Sequence, residues 1–152
     1  MDNDKVISTL NDLIEICRDG QNGFKEAAEN VKNPDLKSFF NECSTERAQF
    51  VSDIQLEVRR LGGDPQKTGS TAGALHRVWM DIKGTFTGKD DHAILSECER
   101  GEDSAVEAYR EAIKLSLPLT IQQLLERQFQ SVRQTHDRIK QMRDAKAAGS
   151  QR

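Results

Sequence analysis

Long apolar runs are missing from this chain, and with them any stretch that could cross a bilayer as a helix, which takes about 20 consecutive apolar residues. Prolines number three in 152 residues, and aromatic residues make up 5%. So few breakers and bulky groups argue against a strand-rich fold with many turns and for long helices with narrow apolar stripes. Charge of one sign is also missing. Lys and Arg total 22 against 25 Asp and Glu, a net charge of -3, and no basic block is present to neutralise a row of phosphates. Neither a nucleic-acid partner nor a membrane is expected. Cys17, Cys43 and Cys98 are too few, odd in number and too widely spaced for a disulfide framework, so they read as reduced core thiols of a cytoplasmic protein. The opening MDNDKVISTL has no basic segment followed by an apolar run, so no export signal is expected. Glycine-rich phosphate loops, nucleophile elbows and the His-Glu-x-x-His string do not occur.

What is present is helical periodicity. Apolar residues recur at steps of three and four from Ile7 to Val31, and again from Leu36 to Leu61. Asn33-Pro34-Asp35 offers a cap, a proline suited to the first helical position and an acid at the positive dipole end. Gly62-Gly63 offers a left-handed stop. After the polar run DPQKTGST, the residues Leu75, Val78, Trp79, Ile82 and Phe86 share one face of a shorter helix. Two uses of that stripe compete: covering the chain's own bundle, or a contact with a second copy centred on Trp79. Ile94 to Ile113 and Ile121 to Met142 supply two more long apolar faces, separated at Pro118.

The spacing thus predicts one domain over residues 1–152, with helices over about 4–32, 34–61, 71–86, 91–115 and 118–146. Four long helices with one long connection between the second and third have the connectivity of a ferritin-like four-helix bundle. A weak internal repeat fits this pairing, since GFKEAA at 23–28 parallels AYREAI at 108–113.

Polar residues interrupt the apolar seams. Glu46, Glu102 and His136 each fall three or four residues from seam positions of three different helices, which is most of a buried metal site. Gln49 and Arg133 stand where such a site would want an imidazole and an acid, and Cys17 replaces another acid. Arg133, three residues before His136, brings a fixed positive charge that would repel a cation and could serve Glu46 and Glu102 through its five donors. The favoured reading is a metal-free polar network of Cys17, Glu46, Gln49, Glu102, Arg133 and His136. A single iron, manganese or zinc ion on Glu46, Glu102 and His136 is the lesser alternative. Asp12, Glu15, Asp19 and Glu26 fall off the first helix's stripe and read as a solvated face. His76 and His92 read as surface or capping residues.

The strings LNDLIEICRDGQNGFKEAAENVKNPDLKSFF, STAGALHRVWMDIKGTF, ECERGEDSAVEAYREAI and ERQFQSVRQTHDRIK together resemble an uncharacterised bacterial family of ferritin-like bundle proteins described as a domain of unknown function. More distantly, the spacing is similar to rubrerythrin-type diiron domains. That likeness implies ligand roles for Glu46, Glu102 and His136, from which Cys17, Gln49 and Arg133 depart. The functional expectation is a non-catalytic, stress-associated or interaction protein. Its partner would be an unidentified protein or a second copy, and a metal-binding oxidoreductase with a reduced ligand set is the alternative.

Overall fold

The local capping signals set where the helices begin. Asp2 accepts a hydrogen bond from the Lys5 backbone N–H, starting α1 (Asn3–Asn30). Asn33 accepts from the N–H groups of Asp35 and Leu36, and Pro34 opens α2 (Pro34–Arg60). Asp90 accepts from Ala93 N–H to start α3 (Asp91–Ile113). After a break at residues 114–118, α4 runs over Leu119–Ser150. Each capping side chain satisfies one of the backbone donors that a helix start leaves without an intrahelical partner.

The end of α2 is equally explicit. Gly62 has φ of 81°, its N–H reaches Arg59 O, and Gly63 N–H reaches Val58 O. These are the paired bonds of a Schellman stop, which needs the left-handed conformation that glycine adopts without strain.

The computed structural model describes residues 2–66, 78–79, 81–82 and 84–150, with side chains through 145. Among the described residues it is an all-α four-helix bundle without strands. Its main packing surfaces join α1 to α2 and α3 to α4, and α1 against α3 links the two hairpins. Successive contacts give the directions. Ser44 of α2 bonds to Gln21 of α1, while Asn11 near the start of α1 reaches Asp64 beyond the end of α2, so this pair is antiparallel. Cys17 meets Tyr109, whereas Lys32 and Asn33 donate to Asp91, so α1 and α3 are also antiparallel. The connection from α2 to α3 must therefore travel the length of the bundle, the long crossover anticipated from the spacing. No helix among the described residues is long and apolar enough to cross a membrane.

The crossover is anchored by Trp79. Its ring lies between Gly23 of α1 and Gly101 of α3: a Cβ on Gly23 would stand 2.3 Å from the ring and one on Gly101 2.4 Å from it. Phe24 meets the same ring edge-on at 5.3 Å between centroids. Trp79, Ile82 and Phe86 are fully buried, so these three have no surface left to offer a second copy, and Val78 is half-buried. Of the two uses weighed for this stripe, these three residues serve the first, covering the chain's own bundle, and the alternative of a contact centred on Trp79 is corrected. Leu75 and His76 lie outside the described residues. The expected helix to residue 86 also stops short. Residues 78, 79, 81 and 82 are helical, but Gly84 has φ of 87° and its N–H donates to Glu26 of α1. Glu26 is thereby half-buried, and Asp12 and Asp19 are buried rather than solvated, because the first helix is covered on more sides than its apolar stripe suggested.

Candidate functional site

Two apolar clusters fill the bundle, and the boundary between them is where polar chemistry sits. On α1 the first cluster ends at Cys17 and the second begins at Phe24. On α2 the gap lies between Cys43 and Phe50, on α3 between Cys98 and Ala105, and on α4 between Val132 and Ile139. These four gaps lie at one height in the bundle.

Arg47 and Glu102 occupy that layer. Arg47 Nη1 donates to Glu102 Oε1 at 2.7 Å and Nη2 to Oε2 at 2.5 Å, and the two side chains are 1% and 0% exposed. Paired charge-assisted bonds of this kind are what allow two ions to leave water together. Gly20 of α1 leaves room for the guanidinium, which comes within 3.1 Å of where a Cβ would be. The guanidinium carbon also lies 5.3 Å from the Phe24 ring centre and 5.9 Å from that of Phe50, positions where ring faces attract a cation. Burial acts to lower the Arg47 pKa, but the Glu102 charge and hydrogen bonds outweigh it and raise it.

Beside this pair runs a neutral chain. Cys17 Sγ is 3.2 Å from the Tyr109 hydroxyl, which donates to Gln128 Oε1 at 2.7 Å. Burial raises the pKa values of Cys17, Cys98 and Tyr109 above their ordinary values and pushes that of Cys43 up to about 12. All four groups are therefore protonated near neutrality, and the cysteines lack the thiolate that nucleophilic or redox chemistry requires.

The residues singled out in the sequence scatter across this architecture. Glu102 and Cys17 lie in the interior layer. Glu46 is half-buried and lines a groove of about 270 Å³ between α2 and α4, with Cys43, Thr135 and Arg138 among its walls. Gln49 is exposed and donates to Asp53 on its own helix at 2.9 Å. Arg133 is exposed, its guanidinium 5.7 Å from the Phe129 ring centre. The expected pairing of Arg133 with Glu46 and Glu102 is therefore corrected. Arg133 follows the buried Val132 by one residue, about 100° round the helix, so it points away from the layer, and the cation that meets Glu102 comes from α2. Cys17 meets Tyr109 rather than Arg133 or His136.

His136 faces the seam between α3 and α4. Its Nε2 is 2.6 Å from Asp103 Oδ1 and 3.8 Å from Glu99 Oε1, and its Nδ1 is 3.1 Å from Asp137 Oδ1. The imidazole is 19% exposed and Asp103 64%. Burial disfavours the charged imidazole, but the hydrogen bond to Asp137 and the Asp103 and Glu99 carboxylates raise its pKa above the ordinary value. Arg143 forms an ion pair with Glu99 on its other oxygen.

This geometry can be tested against a carboxylate-bridged metal pair, which requires several acids and two imidazoles converging on one interior layer. The residues do not fit it. Both oxygens of Glu102 are taken by Arg47, Glu46 faces the α2–α4 groove, and His136 addresses different acids. Sequence reasoning missed Arg47, Tyr109, Gln128, Glu99 and Asp103. Gly20 was the available signal, a residue without a side chain on the seam between Cys17 and Phe24, marking space for a large group from another helix.

Residues 5–115 match a family described as Domain of unknown function (DUF2383). The match covers most of the chain, which belongs to that family. It takes in Arg47, Glu99, Glu102 and Asp103 and ends before α4, where His136 lies. No curated protein matches the chain.

Proposed function

We propose that this member of the family is a non-catalytic interaction protein of a reducing compartment such as the cytoplasm. In this reading the interior layer, where ferritin-like bundles place a metal pair, is held by an ion pair. The observation that carries this reading is the buried, bidentate Arg47–Glu102 contact. A guanidinium on both oxygens of the fully buried Glu102 removes its ligand atoms and sets a positive charge where a cation would have to enter. The neutral buried thiols support the same reading from a second direction, since desolvation disfavours the thiolate that covalent or redox chemistry requires. The polar layer then fixes helix register, a use attested for some buried polar groups, and the outer surface is left to engage a partner protein.

The test is to grow wild-type protein and Glu102→Gln with iron, manganese and zinc and measure the metal content of each. Equal content in the two supports an ion-paired interior. Stoichiometric metal in the wild type that is lost in Glu102→Gln would overturn it in favour of a metal-dependent oxidoreductase.

A further inference from the structure

We propose that Glu99 and Asp103 of α3, together with His136 of α4, form a site for one divalent transition-metal ion, with zinc the best chemical match. The site lies on the seam between the two helices, away from the interior ion pair, and does not rest on the reading of that pair.

One ligand atom from each of the three residues lies within 4.8 Å of the other two. Around a tetrahedral zinc with bonds of 2.0–2.1 Å, neighbouring ligand atoms stand about 3.3 Å apart. The two separations from His136 Nε2, 2.6 Å to Asp103 and 3.8 Å to Glu99, straddle that value. The two carboxylate oxygens lie within 4.8 Å of each other, and Asp103, 64% exposed, has the freedom to adjust as the three ligand atoms close around an ion. Glu99 and Asp103 are four residues apart and share one helix face. His136 arrives from the antiparallel neighbour, so all three ligands stand on rigid elements rather than loops.

The surroundings suit a cation. Asp137 lies 3.1 Å from Nδ1; accepting that N–H, it is the outer partner that ligating histidines generally have, and it fixes the ring so that Nε2, on giving up its own proton, presents its lone pair to an ion held between it and the carboxylates. Arg143 pairs with Glu99 Oε2 and holds the carboxylate while Oε1 stays turned toward His136. The formal charges of Glu99, Asp103, Asp137 and Arg143 leave two negative charges to balance a divalent ion. An imidazole with two carboxylates is the mixed nitrogen and oxygen set that zinc accepts, whereas calcium and magnesium favour oxygen alone. Access is open. The Asp103 side of the cluster is mostly exposed, so water can fill the remaining position.

The experiment is calorimetric titration of the metal-stripped full chain with zinc chloride, alongside cobalt(II), whose absorption reports tetrahedral geometry. One equivalent of zinc is expected, with a cobalt spectrum of the tetrahedral kind. His136→Ala and Asp103→Ala should each weaken binding by at least roughly tenfold, while Glu46→Gln, in the α2–α4 groove, should leave it unchanged. Circular dichroism of the two variants establishes that they keep the fold. Absence of saturable binding up to about 1 mM zinc overturns the proposal, as does binding that both His136→Ala and Asp103→Ala retain at full strength.

Discussion

Glu102 and Asp103 are neighbours in sequence and have opposite circumstances. Glu102 is turned into the bundle, where Arg47 takes both its oxygens and both side chains are shielded from solvent. Asp103 points along the seam to α4, where it is mostly solvated and meets a half-buried imidazole. Burial makes the difference in kind. An interior carboxylate must be fully paired because losing its partner leaves an unscreened charge, whereas a surface carboxylate can exchange partners at little cost. The interior pair is therefore a fixed element of the fold, and the seam cluster is an available set of ligands one residue away.

Breaking the interior half should have the largest effect. Arg47→Ala leaves Glu102 buried without its partner and is expected to destabilise the protein by about 3–5 kcal/mol. That would lower the midpoint of thermal unfolding by on the order of 10 °C for a chain of this size. Replacing Arg47 and Glu102 together by Leu should restore much of this, since a paired charge can be exchanged for apolar volume when both members go. A double variant no more stable than the single would show that the two do not act as a unit. Next comes the wedge between the hairpins. Gly101→Ala would drive a methyl against the Trp79 ring and should cost about 1–3 kcal/mol by overpacking, visible in denaturant unfolding. A Gly101→Ala protein as stable as the wild type would place Trp79 elsewhere. The neutral part of the layer is worth less. Tyr109→Phe removes the donor to Gln128 and should cost about 1 kcal/mol, a clear step below the charged pair beside it.

The legible and illegible parts of the sequence divide along the same line. The caps at Asn33 and the stop at Gly62 were readable because they depend on a few adjacent residues, and the apolar stripes were readable because they repeat. The inward polar residue of α2 was not. Both Glu46 and Arg47 fit a step of three or four between Cys43 and Phe50, so periodicity between those two alone does not choose. The choice falls on Arg47 because it is four residues from both Cys43 and Val51 and seven from both Phe40 and Ile54, all of them buried. Glu46 turns instead toward the groove between α2 and α4. For Arg133, proximity to His136 suggested a shared inward face, but the α4 seam passes through Gln128, Val132 and Ile139 and leaves Arg133 outside it. The seam cluster was hidden for a different reason. Glu99 and Asp103 have no apolar spacing to mark them, and their link to His136 depends on how α3 and α4 pair in space.

The smallest stability change belongs to the seam, and its size tests the contrast directly. Asp103→Ala removes the closest partner of His136, yet the carboxylate is solvated and Glu99 and Asp137 still face the ring. Destabilisation should stay below about 1 kcal/mol, the range of exposed ion pairs, and shrink further as salt is added. The Arg47→Ala penalty should barely respond to salt, because no ions reach the layer it disrupts. Unfolding the wild type, Arg47→Ala and Asp103→Ala at low and high ionic strength places both halves on one scale. A loss of several kcal/mol from Asp103→Ala would mean that the seam carries the fold as the interior does, and that its carboxylates are bound too firmly into structure to act as exchangeable ligands.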